Sequence, residues 1–177
     1  MQSNLCIMTV LETILTRRSI RKYIQKEVPA ELLDQLLQAA MYAPTARNTQ
    51  SWHFVVVTDR AMLDTLAVVH PYAKMLKYAP LAVLVCGDKS IEDSEAYLNQ
   101  NCSAATQSMM LAAHALGLGS VWLGVYPKAE RIDPIHQLLK LPDHILPISL
   151  VSIGWPDEVR ETPDRFDRAK IHFNDKW

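Results

Sequence analysis

A chain of 177 residues, 49% of them apolar, suits one domain built around one core. Its formal charge of −1 argues against a nucleic-acid binder, which carries a basic excess or stripe, yet leaves room for a local basic pocket. Three widely spaced cysteines, Cys6, Cys86 and Cys102, make neither a disulfide framework nor a zinc ribbon; they read as reduced thiols of a cytoplasmic protein.

The stretch from Met1 to Met8 lacks the basic region and apolar run of a signal peptide, and Met8 is a second candidate start. Residues 9–16 are expected to form a short helix, capped by Thr9 with Glu12 three positions on. The basic cluster Arg17-Arg18-Ser19-Ile20-Arg21 follows at once. Pro29 opens a second helix at its first position. Leu32, Leu33, Leu36, Leu37 and Ala40 recur there at helical spacing, and Pro44 stops it. A polar loop, Thr45 to Ser51, leads into a strand over Trp52–Val57. Asp59 caps a helix of about ten residues, and Pro71 starts another short one. Leu81–Cys86 reads as an apolar strand. Residues 93–116 form a long helix rich in small side chains, ended by Gly117 as its C-cap. A strand over Ser120–Gly124, a helix over 129–139 and a strand over Ile145–Ile153 complete the core. After Gly154-Trp155-Pro156 the chain is expected to run as an extended tail to Trp177.

Residues 96–127 contain no Asp, Glu, Lys or Arg. Asn99, Gln100, Asn101, Gln107 and His114, then three glycines, keep every apolar run far below the ~20 residues of a membrane span. A helix without a charged face needs cover on all sides. A homodimer that buries it is the economical solution, with the polar tail wrapping the partner.

Two segments carry chemistry. Arginine forks and a serine hydroxyl suit a phosphate monoester, although solvated surface arginines are the plainer alternative. The loop Pro44-Thr45-Ala46-Arg47-Asn48-Thr49-Gln50-Ser51 offers neutral hydrogen-bonding groups of the kind a flavin ring and its ribityl hydroxyls need, unless it is an ordinary connection. Gly117-Leu118-Gly119-Ser120-Val121-Trp122 has Trp122 where a dinucleotide fingerprint needs glycine, and it enters a strand rather than leaving one. A Rossmann site is therefore excluded. No histidine pair has helical zinc-ligand spacing, and no nucleophile elbow or P-loop is present. His114 and Cys102 read as core residues.

Taken in order and register, Arg17 to Tyr23, Ala43 to Trp52, Ala112 to Gly124 and Ile153 to Pro156 resemble the nitroreductase family from about residue 9 to the C-terminus. The resemblance implies an α+β fold: a central, mostly antiparallel sheet flanked by helices. It implies a single FMN-binding domain spanning 1–177, with core 9–155 and tail 156–177. It implies an obligate homodimer with two FMN sites at the subunit interface. Arg17, Arg18, Ser19 and Arg21 then bind the phosphate and ribityl chain, joined by Arg165 of the tail. Pro44, Thr45, Ala46, Asn48 and Gln50 come from the other subunit and line the flavin. Leu123 and Gly124 lie near the ring, and Gln107 is a weaker assignment. NADH or NADPH donates electrons and a small acceptor, such as a nitroaromatic or quinone, receives them in ping-pong order. A flavin-binding module without turnover would show the same motifs. No catalytic side chain and no metal ligand is assigned, and neither a nucleic acid nor a membrane is a partner.

The sequence also departs from the family. Ser51 stands where a proline usually precedes the tryptophan. Arg47 replaces a small residue and either selects a charged substrate or points to solvent. Residues 87–97 are short, which implies an open site.

Overall fold

The architecture is organised by its last strand. A computed structural model describes residues 8–177, so Cys6 and a start at Met1 lie outside the described residues. Strand β5 (Ile145–Pro156) is buried from Ile145 to Gly154. It pairs antiparallel with β1 (Tyr23–Ile24), β3 (Leu81–Asp88) and β4 (Gly119–Gly124). Strand β2 (Trp52–Val57) pairs antiparallel with the far edge of β3. The register slips between Val85 and Cys86, which face Ser149 and Pro147. Pro147 has no N–H to give and sits at this bulge, while the Ile148 carbonyl accepts from Val125 and Tyr126, each at 3.1 Å.

Strand β3 explains the continuous apolar run read from the sequence. Ala82, Leu84 and Cys86 join a core with Leu63 and Leu66 of α3 (Arg60–Val69) and Ile135 of α5 (Ala129–Leu138). Leu81, Val83 and Val85 face the opposite core, with Leu36 of α2 (Ala30–Met41) and Leu98, Cys102 and Met109 of α4 (Glu95–Ala115). A strand covered on both faces needs no polar alternation. The α+β build and the antiparallel sheet agree with the sequence-based expectation.

The capping box at α1 (Val10–Thr16) forms with Thr9 and Glu12. Asp59 caps α3 through the Met62 amide, and Gly117 ends α4 at φ 79°. Pro29 is the N-cap of α2 rather than its first helical residue. After Pro71 the chain makes only a 3-10 turn at Lys74–Lys77, not a helix from the proline onward. Strand β1 was not expected, and β3 and β5 run past Cys86 and Ile153. The tail is exposed from Val159 onward and holds one 3-10 turn, Arg168–Lys170. Helix α4 is not covered all round by its own chain: Gln107 and Ala115 are exposed, and Ser103, Ala104 and Ser108 are half-buried.

Gly154 lies where β5 is pressed from the side. A Cβ there would sit 2.6 Å from Pro80 Cδ and 2.9 Å from Tyr23 Cδ1. Gly154→Ala is expected to destabilise the fold by about 1–3 kcal/mol. At Gly124 the nearest atom to such a Cβ is Arg131 Nη1 at 4.0 Å, so Gly124→Ala should leave stability near wild type. Denaturant unfolding of the two variants checks the contrast.

Candidate functional site

Helix α1 delivers the arginine cluster to the open edge of β4. The chain after α1 makes one parallel bridge, Ser19 to Ser120, and Ile20 N donates to Ser120 O at 3.0 Å. Ile20 packs so closely that a Cβ on Gly119 would fall 2.7 Å from its Cγ2. Glycine at 119 therefore permits the approach. At the α1 end, Thr16 Oγ1 donates to Glu12 O at 2.6 Å, which leaves His114 Nε2, 2.8 Å away, to donate to Thr16.

Arg18, Ser19, Arg21, Arg160, Glu161 and Arg165 line one polar cleft. Arg17 lies beside it, half-buried, and its Nη1 is buried with no hydrogen-bond partner. Burial, then Arg18 and Arg165, lower the Arg17 pKa. The tail closes the cleft: Arg18 Nε donates to Glu161 O at 3.1 Å, and Glu158 accepts the Arg21 amide at 2.6 Å. Glu158 also pairs with Arg160 at 2.8 Å, so the nearest carboxylate is already engaged. Arginines crowded together, one with a buried unpaired donor, fit an anion with several acceptor oxygens. A phosphate monoester has that chemistry.

The far end of β4 forms a second wall. Arg21, His70, Tyr72, Lys74, Trp122 and Gly124 border a cleft of about 630 Å³, which shares Arg21 with the first. Gly124 O accepts from His70 Nε2 at 3.0 Å and from Arg131 Nη1 at 2.9 Å. His70 Nδ1 accepts the Tyr72 amide at 3.2 Å, so the ring is the neutral Nε2–H tautomer. The Leu123 side chain is buried in the core, so what it presents here is backbone. Sequence reading missed His70, Tyr72 and Lys74, because their turn carries no periodicity that marks it as part of a site.

The loop lies elsewhere. Pro44, Asn48 and Gln50 are exposed, and Thr45 and Ala46 half-buried, where the chain enters β2. Ala46 N donates to Asn101 Oδ1 at 2.8 Å, near the start of α4, whereas His114, near its end, bonds Thr16 beside the arginines. The thirteen positions from Asn101 to His114 span about 20 Å of helix. Gln107, exposed midway along α4, joins neither group. Across the sheet, β4 and β2 are separated by β5 and β3, about 14 Å. On one chain the loop and the arginine cluster thus lie at opposite edges of the sheet. Arg47 does face solvent, with its side chain 65% exposed, and its Nη2 also lies 2.7 Å from both Glu92 oxygens.

A family model for the nitroreductase family matches residues 14–155. This chain belongs to that family. A Methanothermobacter thermautotrophicus protein, provisionally named an NADH dehydrogenase/NAD(P)H nitroreductase, is 49% identical over 170 residues, covering 96% of this chain and 88% of its own. A similarly named Parabacteroides distasonis protein has a crystal structure that superposes with a TM-score of 0.90 at 42% identity, covering 95% of this chain and 98% of its own. An FMN-dependent nitroreductase from Clostridium difficile superposes at 0.87 and 34% identity, covering 94% and 99%. In this nitroreductase the family match holds the cluster, the loop and β4, and stops short of Arg165. Among the described residues no helix is long and apolar enough to cross a membrane, and no group of side chains is disposed to hold a metal ion.

Burial, reinforced by Arg17 and Arg18, lowers the His114 pKa below 6.5. Burial also lowers that of His70, where the hydrogen bond to Gly124 opposes it and Arg131 adds to it. The folded state thus keeps both rings neutral, and on acidification the unfolded chain takes up protons first. Their contribution to stability is present above pH 6.5 and lost as pH falls through the lowered folded values. Thermal unfolding on both sides of pH 6.5 should show this loss, reduced in His114→Gln.

Proposed function

We propose that this nitroreductase is a homodimeric, FMN-dependent NAD(P)H oxidoreductase. It takes hydride from NADH or NADPH and delivers it to a small acceptor, a nitroaromatic or a quinone, in ping-pong order. The observation that carries the reading is the buried, unpartnered Nη1 of Arg17 among Arg18, Ser19, Arg21 and Arg165. That set is charged and shaped for the phosphate of FMN. The resemblance to the Clostridium difficile FMN-dependent nitroreductase supports the same cofactor.

The bound flavin supplies the hydride chemistry, so no side chain is assigned as acid or base. Arg17, Arg18, Ser19, Arg21 and Arg165 hold the phosphate and ribityl end. The Leu123–Gly124 backbone, fixed by His70 and Arg131, flanks the ring. Pro44, Thr45, Ala46, Asn48 and Gln50 complete the site from a second copy, with Gln107 on the exposed side of α4. The separation of loop and cluster within one chain supports this arrangement. So does the apolar surface that one chain leaves in water: Val10, Leu11 and Leu15 on α1, Tyr42 after α2, and Phe166, Phe173 and Trp177 in the tail. Residues 9–155 form the core of the single domain, and 156–177 wrap the partner. Reduced Cys86 and Cys102, both buried and free, suit a cytoplasmic protein.

Purified protein should be yellow and should bleach on addition of NADH or NADPH. Protein that stays colourless after FMN is supplied overturns the reading. Sustained NAD(P)H oxidation with a quinone marks an enzyme, and its absence marks a flavin carrier. Arg17→Ala should weaken FMN by about tenfold or more, the loss of a charge-assisted hydrogen bond, and leave riboflavin binding unchanged. Equal losses for both flavins overturn the phosphate assignment. Sedimentation should give twice the 20.0 kDa chain mass.

A further inference from the structure

We propose that Asn101 and the Glu92–Arg47 pair are positioning groups that clamp the Thr45–Ser51 loop in its binding shape. The inference rests on the flavin reading above and adds Glu92 and Asn101, which lie outside the stretches that carry the family resemblance. Arg47, Asn48 and Gln50 hold φ of 54°, 55° and 48°. Non-glycine residues keep such left-handed values only where their surroundings impose them. Three of them among four consecutive residues need specific restraints, and two are visible.

The inner restraint is neutral. Asn101 is 3% exposed. Its Oδ1 accepts Ala46 N at 2.8 Å, and its Nδ2 donates to Thr49 Oγ1 and Ser51 Oγ, each at 3.4 Å. One buried amide thus ties both ends of the turn to α4. Ser51, in place of the proline the resemblance leads one to expect, supplies an acceptor that proline lacks.

The outer restraint is charged. Glu92 has a fully buried side chain, while that of Arg47 is 65% exposed, and the two meet at 2.7 Å. Glu92 also accepts the Ser94 amide at 3.1 Å. Arg47, then the Ser94 amide, hold the Glu92 carboxyl below its ordinary range. The guanidinium also lies over the Tyr97 ring, 5.7 Å from its centroid. Arg47 is therefore engaged by its own chain through Nη2 and acts as a strut. Between the two restraints, the exposed side chains of Asn48 and Gln50 bond each other at 3.1 Å.

The test is flavin affinity of the full chain, read by fluorescence quenching with FMN and with riboflavin. A loop that serves the ring affects both flavins alike, whereas a phosphate-binding arginine affects FMN far more than riboflavin. Asn101→Leu is expected to weaken both by the same factor, about tenfold, through loss of three hydrogen bonds. Asn101→Asp keeps the acceptor for Ala46 and takes donors from Thr49 and Ser51, and should recover most of the loss. Arg47→Met should weaken both by about threefold, and the circular dichroism of bound flavin should change with it. Should Asn101→Leu fail to fold, Arg47→Met, at an exposed side chain, decides. Wild-type affinity for both flavins in Arg47→Met and in folded Asn101→Leu overturns the clamp, as does a loss confined to FMN. Wild-type protein that binds neither flavin overturns the flavin reading, and the clamp with it, and that titration separates the two failures.

Discussion

Over Leu150–Ile153, β5 is hydrogen-bonded along both edges, to β3 on one side and β4 on the other. No segment so bonded slides without breaking two ladders at once. This double pairing sets the geometry of everything that binds. It places the loop before β2 at one end of the sheet and the arginine cluster beside β4 at the other. It also buries β3 on both faces, so the two cores share one rigid wall. The distance between loop and cluster is thus a property of the sheet.

Electrostatics then separates the two ends. Near the loop, charge is closed: Arg47 meets a buried carboxylate, and the neutral amide of Asn101 satisfies the backbone. At the cluster, charge is open. Arg17, Arg18, Arg21 and Arg165 converge, while Glu158 is taken by Arg160 and by backbone amides. A chain of net charge −1 thus holds a local excess of cations, with Glu158 and Glu161 beside it. The buried Nη1 of Arg17 is costly to leave without an acceptor. The two ends differ in chemistry: one gathers guanidinium groups and the other presents neutral donors and acceptors.

Much of the fold was legible. Cap and breaker chemistry marks the ends of α1, α3 and α4, because Thr9, Asp59 and Gly117 act on their immediate neighbours. The period-free apolar run of β3 follows from burial on both faces. Strand β1 was not legible, since two residues carry no period and pair only because β5 extends to Pro156. After Pro71 the chain makes only the short turn at Lys74–Lys77, because proline constrains only its own backbone. Of the site, the cluster and loop were visible as residue types and by their resemblance to the family. His70, Tyr72 and Lys74 were not, since they reach the Gly124 cleft only when α3 packs its end beside β4.

By itself the sequence determined the local elements, the charged and polar segments able to bind, and the family. Tertiary structure decided which of these segments are neighbours. It paired the exposed Arg47 with a buried Glu92, left Arg17 Nη1 without a partner, and set loop and cluster at opposite ends of one sheet. The reason is physical: helix caps and apolar periods act over a few residues. The counter-charge of a side chain and the distance between loop and cluster depend on strand order and register, which only the assembled sheet defines.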